Sequence, residues 1–222
     1  MTEAAPGGEH RIVIEHFPVG PLQCTCTIVA DPSSGEAIIV DGGDEPDRIV
    51  RRLDELGVRA TALVHTHAHY DHIGTLPALR EQTGAPGLLH PADLPLYAAQ
   101  RELARAFGLP PPDLTALDGD LAQGDRLRAG EATLDVLHTP GHTPGSVSFV
   151  LTTGGSTRLL TGDTLFRGSV GRVDIGGTTL EELVGSIREK LLPFANDTVV
   201  VPGHGPLTSI GAERAANPFL RA

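Results

Sequence analysis

Short apolar runs punctuated by Gly and Pro open the chain. Arg11–Phe17, Cys24–Ala30 and Ala37–Val40 read as strands, separated by Gly20-Pro21 and by the turn Asp31-Pro32-Ser33-Ser34-Gly35. The period then lengthens. Ile49, Leu53 and Leu56 recur at intervals of four and three, Pro46 suits a first helical turn and Gly57 a stop, so a helix is expected near Pro46–Leu56. A strand at Thr61–Val64, a helix near Thr75–Thr83 closed by Gly84, a short strand at Gly87–Leu89 and a helix near Ala92–Phe107 follow. Gly108 to Gly124 reads as an irregular connection. The second half repeats the style, with strands Thr133–Leu137, Ser146–Leu151 and Arg158–Leu160 and a Gly-rich loop from Thr164 to Gly177. Thr179-Leu180-Glu181-Glu182 forms a capping box for a helix Leu180–Leu191. Leu183, Ile187 and Leu191 share one face of it, and Pro193 stops it. Thr198–Val201 is a last buried strand.

Strands, helices, strands, helices, with only partial βαβ alternation, suit two mixed sheets packed face to face with helices on both outer faces. A single doubly wound sheet fits that order less well. The class is therefore α/β (α+β), an αββα sandwich. At 222 residues the chain is read as a flexible N-terminal segment, 1–10, and one domain, 11–222. With no Trp, two Tyr and six Phe, the core must be mostly Leu, Val, Ile and Ala.

Charge and cysteine usage narrow the setting. The net charge is −11 and Lys190 is the only lysine, which argues against a nucleic-acid partner, since phosphate neutralisation needs clustered Lys and Arg. No stretch approaches 18 apolar residues, and residues 1–9 lack a cationic and an apolar signal region, so neither a membrane span nor export is expected. Cys24 and Cys26 stand two apart on one face of a strand, where closure would be strained. Two half-buried free thiols in a reducing cytoplasm is the reading.

Chemistry enters at His67-Ala68-His69-Tyr70-Asp71-His72, directly after the strand ending at Val64. Neutral imidazole and carboxylate are the usual ligands of Zn²⁺ and its first-row neighbours, and two such ions side by side can make a hydroxide at neutral pH. Three more candidates each follow an apolar strand in a Gly- or Pro-rich turn: His142 in Thr139–Gly145, Asp163 in Leu159–Thr164 and His204 in Val201–Pro206. Strand ends are rigid mounts, neighbouring loops converge there, and flanking glycines let the backbone approach closely.

The motif His67-x-His69-x-Asp71-His72 with His142, Asp163 and His204 resembles the metallo-β-lactamase superfamily. Thr66–His72, Thr139–Ser146, Gly162–Asp174 and Pro202–Pro206 together are similar to its glyoxalase II-like branch, and within it to the short bacterial hydrolases. The resemblance runs from about Ile12 to Leu220. It implies an αββα sandwich with the site at one sheet edge. It also implies two divalent metal ions, Zn²⁺ ahead of Fe²⁺ and Mn²⁺: His67, His69 and His142 on the first, Asp71, His72 and His204 on the second, Asp163 bridging. The implied reaction is hydrolysis of a small-molecule thioester by a hydroxide held between the metals, with Asp71 also orienting it as a catalytic residue.

Other readings stay open. A mononuclear-iron persulfide dioxygenase of the same superfamily would use residues matching His67, His142 and Asp163, and a lactonase differs only in pocket shape. Full glyoxalase II enzymes carry a further helical domain that grips glutathione. Here 18 residues follow His204, and Gly211–Ala222 are expected to form a short helix or tail. Around the candidate ligands, Thr66 and Thr164 are candidates to hydrogen-bond them, Arg172 and Asp174 to form a buried pair bracing the Gly-rich loop, and Tyr70 to touch substrate or pack. His65 and His138 are read as packing residues, and His10, His16 and His90 as histidines without a partner pattern.

Overall fold

The computed structural model describes residues 12–106, 111–174 and 177–221. The segment 1–10, Arg11 and Phe107 lie outside them. One six-stranded sheet runs in spatial order through β1 (Val13–Val19), β2 (Cys24–Asp31), β3 (Glu36–Val40), β4 (Arg59–Val64), β5 (Gly87–Leu89) and β6 (Gly119–Asp120). Its first three strands are antiparallel and the rest parallel. The second sheet comprises β7 (Arg126–Ala129), β8 (Ala132–His138), β9 (Val147–Thr153), β10 (Ser156–Gly162), β13 (Val199–Pro202) and β14 (Thr208–Ser209). Between β10 and β13 lies a small hairpin, β11 (Leu165–Phe166) with β12 (Ser169–Val170).

The apolar runs hold because these strands are covered on both faces. In β3, Ala37 and Ile39 join the cluster under the helices α1 (Pro46–Leu56) and α3 (Leu76–Thr83), while Ile38 and Val40 face the other sheet. In β9, Val147, Phe149 and Leu151 face inward and Val150 faces α5 (Leu180–Ser186). Strand side chains alternate, so each run feeds two cores at once. Along β4 a register shift at Thr61 keeps Ala60 and Leu63 on one face and Ala62 and Val64 on the other; Thr61 Oγ1 donates to Ala37 O at 3.0 Å. The αββα sandwich is thus three apolar layers, and each fully buried Leu, Ile or Val contributes roughly 1.5–3 kcal/mol.

Expected helix Pro46–Leu56 forms with those bounds, closed by Gly57 at φ 67°. The helix expected over Leu180–Leu191 is α-helical only to Ser186. Thr179 Oγ1 caps it through Glu182 N at 3.2 Å, and Ile187–Leu191 widens into a π turn, where Leu192 N donates to Ile187 O at 2.9 Å. Several elements lack a strong enough pattern to be expected. They are β6 in the 108–124 connection, β7, β14, the hairpin inside the Gly-rich loop and the one-turn helix α2 (Tyr70–Ile73). The helix after β5 begins as a 3₁₀ turn, Pro91–Asp93, and continues as α4 (Leu94–Ala106). The last helix of the described residues is α6 (Ile210–Ala216). Its Glu213 accepts from Gly168 N and Asn217 Nδ2, both at 2.8 Å, and so holds the β11–β12 hairpin. Cys24 and Cys26 are free but fully buried, not half-buried, because β2 is a central strand under the helical layer. Among the described residues no helix is long and apolar enough to cross a membrane.

Candidate metal centre

The C-terminal ends of β3, β4, β8, β10 and β13 reach one edge of the sandwich, and every candidate ligand leaves from there. Short bonds lace the two sheets at this edge, Thr25 N donating to Gly203 O at 2.7 Å and Val147 N to Thr66 O at 2.8 Å, while Gly203 N donates to Gly162 O at 2.8 Å within the second sheet. Gly203 has to be glycine. A Cβ there would collide with Asp163 Oδ1 and sit 2.8 Å from His72 Cε1.

His67 and His69, two apart in an extended segment, face the same way. With His142 from the loop after β8, their nitrogens form a tight triangle: His67 Nε2 to His69 Nδ1 3.0 Å, His69 Nδ1 to His142 Nε2 2.9 Å, His142 Nε2 to His67 Nε2 3.2 Å. A point about 1 Å above that triangle lies about 2 Å from each corner, the length of a Zn–N bond. The turn of α2 brings Asp71 and His72 to His204, with His204 Nε2 3.1 Å from Asp71 Oδ2 and 3.2 Å from His72 Nε2. Asp163 stands between the two groups. Its Oδ2 is 3.6 Å from His142 Nε2, and its Oδ1 is 3.4 Å from His72 Nε2 and 3.7 Å from His204 Nε2. All seven expected side chains are thus brought together. They offer three sets of ligand atoms close enough to share an ion: His67 with His69 and His142, His67 with His72 and Asp163, and Asp71 with His72 and His204.

The far side of each ring fixes its tautomer. His142 Nδ1–H donates to Arg172 O at 2.7 Å, His204 Nδ1–H to Leu22 O at 3.1 Å and His72 Nδ1–H to Asp41 Oδ2 at 3.1 Å. Thr66 Oγ1 donates to Asp41 Oδ2 at 2.7 Å, which leaves its lone pair for His67 Nδ1–H at 3.1 Å. With the Nδ1 proton held on the far side, four rings turn Nε2 toward the centre, the atom that ligates a metal when it carries no proton. Asp163 Oδ1 is buried without a hydrogen-bond partner, as is His69 Nε2. A cation satisfies such an oxygen, so the donor set fits a pair of divalent ions.

Electrostatics agree. Burial first, then the neighbouring rings, push His67 well below the ordinary histidine value; the same causes bring His69 to about 4 and lower His142. All three are neutral at pH 7. Burial also opposes charge on His72 and His204, but their neighbours prevail: Cys24, then Asp163 and Asp41, raise His72, and Asp71 and Asp163 raise His204. Asp71 and Asp163 stay ionised despite their burial, because His72 and His204 lie against both. A divalent ion at the second group therefore competes with protons, whereas the first group offers lone pairs outright.

Some surroundings differ from expectation. Arg172 and Asp174 pair at 2.6 Å, yet both are more than half exposed, so the buried brace is corrected to a surface pair; it is the Arg172 carbonyl that supports His142. Thr164 bonds Thr139 Oγ1 at 3.1 Å rather than a candidate ligand. His90 does have a partner, since it stacks on His138 at 4.1 Å and 9°. His65 is buried and donates from Nδ1 to His72 O at 3.0 Å, while Tyr70 is exposed at the mouth. Asp41 was not among the expected residues, although Val40-Asp41-Gly42-Gly43 repeats the strand-end, carboxylate and glycine pattern of Asp163. It sits at φ 54°, holding Thr66 N at 2.7 Å as well as His72.

Two face-to-face mixed sheets with histidines and aspartates gathered at their shared edge define a metal-binding protein of the αββα class. The chain belongs to the metallo-β-lactamase superfamily, whose family model matches residues 19–204. It is 37% identical over 211 residues to the hydroxyacylglutathione hydrolase GloC of Haemophilus influenzae, covering 94% of this chain and 98% of that one. It is 38% identical over 206 residues to the probable metallo-hydrolase YqgX of Bacillus subtilis, covering 92% and 95%. Among solved structures it resembles the BLEG-1 B3 metallo-β-lactamase, with TM-score 0.85, 35% identity and coverage of 95% and 100%. It also resembles TTHA1623 in a di-iron-bound form, with TM-score 0.81, 38% identity and coverage of 93% and 100%. The chain is accordingly a metallo-hydrolase of this superfamily.

Proposed function

We propose that this protein hydrolyses small-molecule thioesters with two divalent metal ions, Zn²⁺ first among them. His67, His69 and His142 hold one ion, Asp71, His72 and His204 the other, and Asp163 bridges. The observation that carries the reading is the Asp163 carboxylate, whose two oxygens address two separate groups of ring nitrogens. A pair of ions held there supplies an acidified water and an electrophile for a carbonyl oxygen.

The chain's own groups do the rest. Asp71, part-exposed and ionised, orients the attacking water at the mouth and accepts its hydrogen bond. His204 is the outermost of the rings, with its Nδ1 fixed on Leu22 O, so the substrate enters past the β1–β2 turn. Leu22, whose carbonyl holds His204, is exposed, and the Phe166 ring lies 6.3 Å from His204; these two side chains make an apolar rim for an acyl chain. Similarity to a hydroxyacylglutathione hydrolase supports a thioester over a lactone. A cytoplasmic setting suits two free thiols and a chain with net charge −11.

The test is hydrolysis of a thioester panel that includes a hydroxyacylglutathione, run beside lactones and glutathione persulfide, with and without a chelator. Chelator-sensitive thioester cleavage with two ions per chain is expected. One iron per chain with oxygen uptake on the persulfide would replace the proposal with the oxygenase reading. Lactone cleavage alone would move the substrate class.

A further inference from the structure

The backbone of Ala68, between His67 and His69, is gripped at both its N–H and its carbonyl by one element outside the ligand loops. Asp93 Oδ2 accepts from Ala68 N at 2.8 Å, and Gln100 Nε2 donates to Ala68 O at 2.6 Å. Asp93 ends the 3₁₀ turn that leads into α4, and Gln100 lies seven residues on, two helical turns later and so on the same face. The same Asp93 carboxylate also takes Thr143 Oγ1 at 2.8 Å on Oδ2 and Gly145 N at 2.6 Å on Oδ1. Thr143 and Gly145 belong to the loop that carries His142. Only glycine admits this contact, since a Cβ at 145 would come within 2.6–2.7 Å of Asp93 N, Cβ and Cγ.

Asp93 is fully buried, and among the described residues no cation pairs with it. A buried carboxylate held only by neutral donors is costly, and a well-packed apolar side chain would join two loops at lower cost. The carboxylate offers what an apolar residue lacks: three directional acceptor bonds, to two loops 75 residues apart at His67 and His142. Those loops must meet within about half an ångström for three nitrogens to share an ion. Gln100 adds the complementary donor, which stops the Ala68 peptide from rotating and carrying His67 and His69 out of register.

We propose that Asp93 and Gln100 are positioning residues for the three-histidine group, with Asp93 locking the His67–His69 segment to the His142 loop. This rests on the reading of His67, His69 and His142 as one metal-holding group. Asp93→Asn places an amide N–H against at least one of three donors, Gln100→Met removes the donor to Ala68 O at similar volume, and Thr143→Val removes one donor to Asp93.

Each variant, with wild type and His142→Ala, is titrated with Zn²⁺ against a chromophoric chelator, and the visible spectrum of the Co²⁺-loaded protein is recorded. Asp93→Asn is expected to weaken one of the two Zn²⁺ equivalents roughly 10–100-fold and leave the other within about threefold; Gln100→Met and Thr143→Val act on the same equivalent by roughly 3–10-fold. The Co²⁺ bands assigned by their loss in His142→Ala should change in all three. Wild-type binding of both equivalents by the three variants overturns the inference. So does equal weakening of both equivalents, which marks general destabilisation. Should Asp93→Asn fail to fold, Gln100→Met and Thr143→Val decide by the same criteria. If His142→Ala itself keeps both equivalents, the ligand reading has failed, a result distinct from failure of the clamp.

Discussion

Asp163→Asn keeps the shape of the side chain and one oxygen while deleting its charge, so it tests the bridge with little other disturbance. The carboxylate oxygens lie 3.4, 3.6 and 3.7 Å from the ring nitrogens of His72, His142 and His204. At about 3.5 Å and an effective dielectric near 20, one pair of unit charges is worth about 5 kcal/mol. The amide oxygen retains part of that attraction. The easier burial of an amide offsets more, and so does weaker proton competition at His72, whose pKa Asp163 helps to raise. A net loss of roughly 3 kcal/mol per ion remains, about a hundredfold in affinity. Zinc content after gel filtration, affinity by chelator competition and far-UV circular dichroism together read this out. The expected result is a folded protein with at most one retained ion and no measurable thioester turnover. Two ions at wild-type affinity would refute the bridging geometry, and turnover persisting in metal-depleted Asp163→Asn would refute metal-assisted hydrolysis itself.

Because their neighbours hold His72 and His204 above the ordinary histidine pKa, loading the second group must expel protons, so Zn²⁺ affinity falls as pH drops below their metal-free values, by up to tenfold per pH unit per proton. Calorimetric titration in buffers of different ionisation enthalpy should show net proton release; none would contradict the assignment. Burial brings His16 to about 4, with Arg158 as the lesser cause. Its contribution is full above about pH 6.5 and lost between there and about pH 4, where the unfolded chain binds the proton first. Part exposure trims the ideal 3 kcal/mol to about 2, and His16→Gln should lose that much less on acidification in urea unfolding curves. Phe149 is fully buried between the sheets, so Phe149→Ala should cost about 3–5 kcal/mol by urea unfolding at unchanged slope, and a cost under about 1 kcal/mol would mean the inter-sheet core is misplaced.

The layers of this fold were legible because both faces of its central strands are buried. Continuous apolar runs such as Ile38–Val40 and Phe149–Leu151 cannot be satisfied by one core, so they announce a sandwich with helices outside. Edge elements escaped for the opposite reason. Gly119–Asp120 and Thr208–Ser209 are two residues long, and backbone pairing rather than an apolar pattern defines them. The π turn at Ile187–Leu191 escaped because it keeps Leu183, Ile187 and Leu191 on the core side, so the helical period persists while the hydrogen bonds change.

At the site, the difference between what the sequence disclosed and what it withheld follows from how each residue acts. Histidine and aspartate clustered at strand ends are legible because that chemistry is rare there. The groups that aim them are ordinary residues whose meaning depends on distance. Asp41 shared the strand-end pattern and was recoverable in principle. Asp93 and Gln100 were not, since nothing local marks a lone Asp after His-Pro-Ala or a Gln in a surface helix. What singles them out is that one helix face holds both backbone polar groups of Ala68. A candidate ligand set can therefore be read from composition and spacing, whereas its rigidity has to be read from where buried donors and acceptors end. Rigidity is what would let two histidine groups from loops far apart in the chain match the proposed pair of ions without first paying to order themselves.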